Sequence, residues 1–194
     1  MGKVVVHKSM SLDGYVAGPD VRVGQGMGVG GERLHSWMFA DDVHPADAEV
    51  AAESYSTDRV GAVLMGRTHF TAGIGYWGED GTFRMPCFVV THRAAEPAVK
   101  GPTTFTFVTD GFEAALAQAQ SAAGPKDVNV MGASTSRQLL AAGRVDEIQI
   151  NLVPIVLGGG TRLFDGLDPE ATLFEPLRVI DSHRVTHLRY RVVR

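Results

Sequence analysis

The segment Val130-Met131-Gly132-Ala133-Ser134-Thr135 places two small residues and two hydroxyls where an apolar run gives way to a helical pattern. Gly132 and Ala133 let backbone come close to a ligand, while Ser134 and Thr135 either cap a helix or donate to phosphate. The junction therefore reads as a pyrophosphate cradle or as a capped helix with no ligand. Two other strand ends carry fixed positive charge, Gly66-Arg67-Thr68-His69 and Thr91-His92-Arg93. A site for NAD sets a carboxylate against the ribose hydroxyl; neither segment holds an acid, so the pair suits the additional 2′-phosphate of NADPH. Either arginine taken alone reads as a solvated surface residue, and neither His69 nor His92 gains a role from its own position.

Asp13, in Ser11-Leu12-Asp13-Gly14, is the carboxylate directly after the first strand. It either hydrogen-bonds a substrate amine or imine, orients a proton-donating water, or caps a turn. Pro154-Ile155-Val156-Leu157 runs into Gly158-Gly159-Gly160 and then Thr161-Arg162, an apolar strand end whose glycine amides face an anion or form a tight turn. Gly24-Gln25-Gly26-Met27-Gly28 imitates a dinucleotide fingerprint, but no strand immediately precedes it, so it is not a Rossmann motif. Cys87 is the one cysteine, which excludes an intrachain disulfide and a Cys-x-x-Cys zinc site; within Pro86-Cys87-Phe88-Val89-Val90 it reads as a packed thiol. No metal site is expected.

These residues must be positioned by alternating strands and helices. Lys3 to Lys8 reads as a strand stopped by the loop from Asp13 to Pro19, which continues through the glycine-rich stretch to Gly31 and is expected to move. A helix is predicted over Pro45 to Thr57 and strands over Gly61 to Met65, Cys87 to Thr91 and Thr104 to Val108, the last two bracketing a polar loop. Asp110 and Glu113 predict a capping box for a helix ending at Gly124-Pro125. Then come a strand from Val128, a helix over Thr135 to Ala142, and a strand over Glu147 to Val153. Arg178 to Ser182 and Val185 to Val193 have no helix between them and predict an antiparallel hairpin. The expectation is α/β, a mixed and mostly parallel sheet closed by that hairpin.

With 194 residues, 44% of them apolar, the chain fits one domain over 1–194. A net charge of −4 with scattered Lys and Arg disfavours nucleic acid as a partner. No apolar stretch approaches the ~20 residues of a membrane span, and no long apolar leader is visible, so a cytoplasmic protein is expected.

Ser11-Leu12-Asp13-Gly14-Tyr15-Val16, Val63-Leu64-Met65-Gly66-Arg67, Val89-Val90-Thr91-His92-Arg93, Gly132-Ala133-Ser134-Thr135 with Arg137-Gln138, and Val145-Asp146-Glu147 through Leu163-Phe164 follow one another in this order. The set resembles the bacterial dihydrofolate reductase family related to the riboflavin-biosynthesis reductase domain. The resemblance implies a three-layer dihydrofolate reductase-like fold, a mobile loop over the nicotinamide, NADPH across the strand ends, and a homodimer. It implies that Gly66, Arg67, Thr68, Thr91, His92 and Arg93 flank the adenosine phosphate, Gly132 to Thr135 the pyrophosphate, and Ala17 the nicotinamide. Asp13, Val156, Leu157 and Gly158 then border the substrate. Met131 stands where the family often has the first of two glycines, which puts a cis bond there in doubt, and His69 stands where it has a threonine. The His-x-Glu and Pro-Cys-x-x-Cys zinc signature of the riboflavin-pathway deaminase is missing, which leaves reductive chemistry.

The mechanism expected is closure of Gly18 to Gly31 over bound NADPH and hydride transfer to a C=N or C=O carbon of a small pterin- or ribosylaminopyrimidine-like substrate, with Asp13 ordering a water. The alternatives are a nucleotide-binding sensor or scaffold without turnover and a pterin-like ligand binder without NADPH.

Overall fold

Consecutive residues face opposite sides of a strand, so Val4-Val5-Val6 suits the interior of a sheet covered on both faces. In the computed structural model, which describes residues 2–170 and 172–193, that strand lies in the middle of a nine-stranded sheet. The elements are β1 (Val4–Ser11), β2 (Tyr15–Ala17), a 3-10 turn (Gly31–His35), α1 (Ser36–Phe39), α2 (Pro45–Tyr55), β3 (Val60–Gly66), α3 (Arg67–Gly73), β4 (Cys87–Val90), β5 (Ala98–Lys100), β6 (Thr103–Val108), α4 (Gly111–Ala123), β7 (Asp127–Met131), α5 (Ala133–Ala141), β8 (Glu147–Val153), β9 (Thr161–Arg162), β10 (Leu173–Asp181) and β11 (Thr186–Val193).

The order across the sheet is β10-β11-β8-β1-β7-β3-β4-β6-β5. Strands β8, β1, β7, β3, β4 and β6 run parallel, so their carboxyl ends share one edge. β10 and β11 form the antiparallel hairpin, and β5 turns back along β6. The α/β sheet is therefore mixed, mostly parallel and closed by a hairpin.

Alternate residues of β3 sort into two cores. Ala62 and Leu64 pack with Leu116 and Ala119 of α4 and Leu139 of α5, whereas Val63 and Met65 pack with Phe70 of α3, Cys87 and Phe105. Helices thus cover both faces. Cys87 is fully buried and its burial pushes the thiol up, as a packed thiol requires.

Five expectations are corrected. The Asp110 side chain makes no cap bond, and Glu113 instead pairs with Arg144 at 2.8 Å, tying α4 to the turn after α5. Ala133, two residues ahead of Thr135, opens α5, because the chain turns at Gly132, where φ is 84° and ψ 131°. The loop after β1 contains β2, which pairs with β9, and the polar loop before Thr103 contains β5. β10 starts at Leu173 rather than Arg178, its alternation broken by an irregularity between Pro176 and Arg178.

Polar groups also cross the core. His187 Nε2 lies 2.9 Å from Asp47 Oδ1 and its Nδ1 lies 2.8 Å from Asn151 Oδ1; Asn151 Nδ2 reaches His7 Nε2 at 2.7 Å. The Trp37 ring meets the His187 ring edge-on and donates from Nε1 to Ser9 Oγ. This network fixes α1 and α2 against β1, β8 and β11.

Candidate functional site

The carboxyl edge of the sheet is built at adjacent strand ends. β3 and β7 stay paired to Met65↔Met131, and both then turn into helices through glycine. Gly132 has φ 84°, and a Cβ there would stand 3.3 Å from the Cβ of His69; a Cβ on Gly66 would stand 2.9 Å from Thr135 Oγ1. Gly66, His69, Gly132 and Thr135 therefore meet at one point. Among the described residues no peptide bond is cis, that between Met131 and Gly132 included.

The first backbone bond of α5 runs from Ser136 N–H to Gly132 O at 3.0 Å, so the amides of Ala133, Ser134 and Thr135 precede its ladder. No side chain caps them. Ser134 is exposed, its hydroxyl accepting from Gln138 Nε2 at 3.1 Å, and Thr135 is buried against Gly66. Of the two hydroxyls foreseen at this turn, one faces solvent and one packs.

Arg67 is exposed but not loose. Its Nε donates to Thr71 Oγ1 at 3.3 Å and its guanidinium lies 4.9 Å from the Phe107 ring and 5.6 Å from that of Phe70. Reaching Phe107 on β6 carries the charge across the end of β4, the strand that leads into Thr91. The buried Thr91 hydroxyl accepts from Arg93 N–H at 3.1 Å and fixes a turn that presents His92 and Arg93 to solvent; Thr68 is exposed as well.

Asp13 lies at the other end of this edge. Its Oδ1 accepts from Ser11 Oγ at 2.6 Å and from Leu157 N–H at 3.1 Å, and its Oδ2 accepts from Gly158 N–H at 2.8 Å. The Ser11 hydrogen bond, with those amides, holds the carboxyl down at about 2. The glycine segment after β8 does present amides to an anion, and that anion is Asp13. Gly158 is exposed, as is Val156, while Leu157 packs on the cluster around Leu34 and Trp37. Ala17 pairs with Thr161, and a Cβ on Gly160 would fall 2.1 Å from Ala17 O, so this crossing admits only glycine. Arg162 stacks over the Tyr15 ring at 4.5 Å. Asp13, Ala17 and the Leu157-Gly158 turn are brought together, at a separate point from Gly66, Gly132 and Thr135.

Between these two groups the sheet opens. β1 pairs with β7 only as far as Val6↔Val130, yet it continues beside β8 to Ser11↔Val153. The separation toward the carboxyl ends makes a crevice where ligands of open α/β sheets collect. Lys8 Nζ reaches across it to Val130 O at 3.1 Å. Burial brings Lys8 down to about 7, and burial together with the Lys8 charge brings His35 down to about 4 and His69 to about 3. Sequence reasoning passed over Lys8 and His35; the available signal was the His7-Lys8 pair that breaks the valine run of β1. The segment Gly18 to Gly31 folds back on itself through Gly18 N–H to Met27 O and Val29 N–H to Pro19 O, both 2.8 Å. Among the described residues no group of three or more His, Cys, Asp or Glu could hold a metal, and no helix is long and apolar enough to cross a membrane.

Residues 2–188 match the RibD C-terminal domain family over nearly the full chain. The chain belongs to that family. The RibD C-terminal domain assignment agrees with solved structures. A putative riboflavin biosynthesis protein from Shewanella sp. PV-4 superposes with TM-score 0.75 at 23% identity, covering 99% of both chains. Dihydrofolate reductase from Enterococcus faecalis, complexed with NADP(H) and RAB-propyl, gives 0.62 at 14% identity, covering 98% of this chain and 96% of that one. RibD from Acinetobacter baumannii gives 0.67 at 16% identity, covering 100% of this chain and 59% of that one. At these identities the likeness is one of fold, which is dihydrofolate reductase-like. No curated protein matches the sequence.

Proposed function

We propose that this RibD C-terminal domain protein is an NADPH-dependent reductase whose substrate is a small heterocyclic, carbonyl or imine compound. The observation that carries this reading is the crevice between β1 and β7, flanked by the Gly66/Gly132 junction on one side and the Asp13 and Leu157-Gly158 turn on the other. The residues fit the cofactor. Gly132 leaves backbone open to a pyrophosphate at the amides that begin α5, and Ser134 stands exposed beside them. Arg67 and Arg93, with Thr68, Thr91 and His92, supply the adenosine-phosphate end with positive charge and no carboxylate. Ala17 borders the nicotinamide, and Asp13, Val156, Leu157 and Gly158 border the substrate. Bound there, NADPH supplies the hydride, and the protein supplies position and exclusion of water. Asp13 acts by fixing the Leu157-Gly158 turn that forms the substrate wall.

The test is titration of purified protein with NADPH and NADH, followed by fluorescence transfer and melting temperature. Tighter NADPH binding supports the reading; no binding of either nucleotide overturns it. NADPH binding without oxidation across pterin, pyrimidine and quinone compounds would turn the assignment to a sensor. Arg67→Ala is expected to narrow the NADPH-to-NADH affinity ratio about tenfold, from loss of one charge-assisted contact of about 1.5 kcal/mol. An unchanged ratio would leave Arg67 as a surface residue stacked on Phe107. Cytoplasmic location and a homodimer formed along the exposed edge strand β10, where Leu173, Leu177 and Val179 face solvent, belong to the same proposal; sedimentation reads the latter.

A further inference from the structure

Reducing a C=N or C=O bond takes a proton as well as a hydride. Asp13 is unsuited to give it: its carboxyl is held ionised, and its oxygens already accept from Ser11, Leu157 and Gly158. The group that does reach the crevice is a lysine. We propose that Lys8, set across the gap between β1 and β7 with His35 and His69 beside it, is the acid that protonates the substrate; this rests on the reductase reading above.

The geometry supports a donor role. An ammonium carries three N–H donors, and among the described residues Nζ gives one hydrogen bond, to Val130 O, and joins no ion pair. The remaining donors are free for a ligand in the crevice. The titratable groups around it are His7 beside it on β1, His35 from the 3-10 turn and His69 from α3. Burial first, and then the Lys8 charge, keeps all three neutral down to about 3, 4 and 3 respectively, so Lys8 is the one of these four groups that changes charge near neutral pH. With its own value brought down to about 7 by burial, it exists there in both forms, as an efficient general acid should.

In the step, the substrate carbon accepts the hydride and the C=N or C=O π pair moves to nitrogen or oxygen. That atom takes a proton from Nζ; the N–H bond breaks and its pair stays on Nζ. The substrate leaves as the amine or alcohol, the nicotinamide is left oxidised, and the neutral Lys8 amine regains a proton from water.

The experiment combines titration of the 13Cε-lysine NMR signals of the full chain with pH profiles of NADPH oxidation, using 7,8-dihydrofolate and 9,10-phenanthrenequinone as probes. The Lys8 signal, identified by its loss in Lys8→Arg, is expected to titrate near pH 7, and kcat/KM to fall above that pH. Lys8→Met is expected to bind NADPH within twofold of the parent, melt at a higher temperature because a partly buried cation is gone, lose about 10²–10⁴-fold in rate and show no alkaline fall. Lys8→Arg keeps the charge but cannot release it, so NADPH binding persists while the rate falls. A lysine that only satisfies Val130 O predicts the opposite: parental rates in both variants and a lower melting temperature in Lys8→Met. A Lys8 midpoint above pH 9, or parental rates in both variants, would overturn the assignment of Lys8. A parent that binds no NADPH, or binds it and has it oxidised by neither probe, would overturn the reductase reading itself.

Discussion

Asp47→Ala is expected to lower the free energy of unfolding by about 3 kcal/mol, on the scale of removing one partner from a buried ion or hydrogen-bonded pair. Asp47 is fully buried in the first turn of α2, where Oδ1 meets His187 Nε2 at 2.9 Å and Oδ2 accepts from Ser182 Oγ at 3.0 Å. Alanine leaves His187 Nε2 without its partner, and Ser182 Oγ with Val185 O at 3.1 Å alone, in a region closed by Trp37 and Val50. For a chain of this length each kcal/mol moves the melting temperature by roughly 2–4 °C, so thermal unfolding should start about 10 °C lower. Since His187 is joined through Asn151 to His7 on β1, the loss extends beyond the hairpin. Asp47→Asn restores an acceptor and should recover part of it. A melting temperature within 2 °C of the parent for Asp47→Ala would show that water enters and replaces the carboxylate.

That network also shows what the sequence could and could not disclose. Strands such as Glu147–Val153 and helices such as Pro45–Tyr55 are set by local periodicity and by residues like Pro45, and they are legible from the chain alone. The arginines at the ends of β3 and β4 are legible for the same reason, because a strand pattern says where its end must be. Asp13 is visible as a chemical group, but its environment is not. The amides that occupy it belong to Leu157 and Gly158, and a pairing across so much chain leaves no mark in local pattern. The capping box at Asp110 and Glu113 failed for a related reason: a guanidinium from Arg144, brought in by the fold, outcompetes a helix amide for the Glu113 carboxylate. The crevice depends on β1 leaving β7 after Val6 while staying with β8, which is a property of three strands together. Lys8 stands in plain view within β1, yet only that separation turns one of the polar residues of the strand into a group at the mouth of a site.

Acidification should destabilise the protein earlier and more steeply than its carboxylates alone would. His7, His35 and His69 are held neutral by burial, with values brought down from 6.5 to about 3, 4 and 3. Between those limits the unfolded chain binds protons that the folded chain refuses, so stability rises with pH across this window. The contribution is complete above pH 6.5 and is lost as pH falls toward 4 and 3. Each histidine contributes a slope of about 1.4 kcal/mol per pH unit, so the three together reach about 4 kcal/mol per unit near pH 5. Because native stabilities are themselves of order 5–15 kcal/mol, the folded state should give way between about pH 5 and pH 4. Urea midpoints at pH 7.5, 6, 5 and 4.5 measure the fall, and calorimetry in buffers of different ionisation enthalpy counts about three protons taken up on unfolding near pH 5. His69→Asn should reduce that count by one, since it removes the imidazole that packs over Gly132 while keeping a polar side chain. Midpoints that stay level from pH 7.5 to 5 would mean that the imidazoles reach solvent through the crevice and titrate as they do in the unfolded chain. In that case the desolvation that sets Lys8 near neutrality would be lost with them.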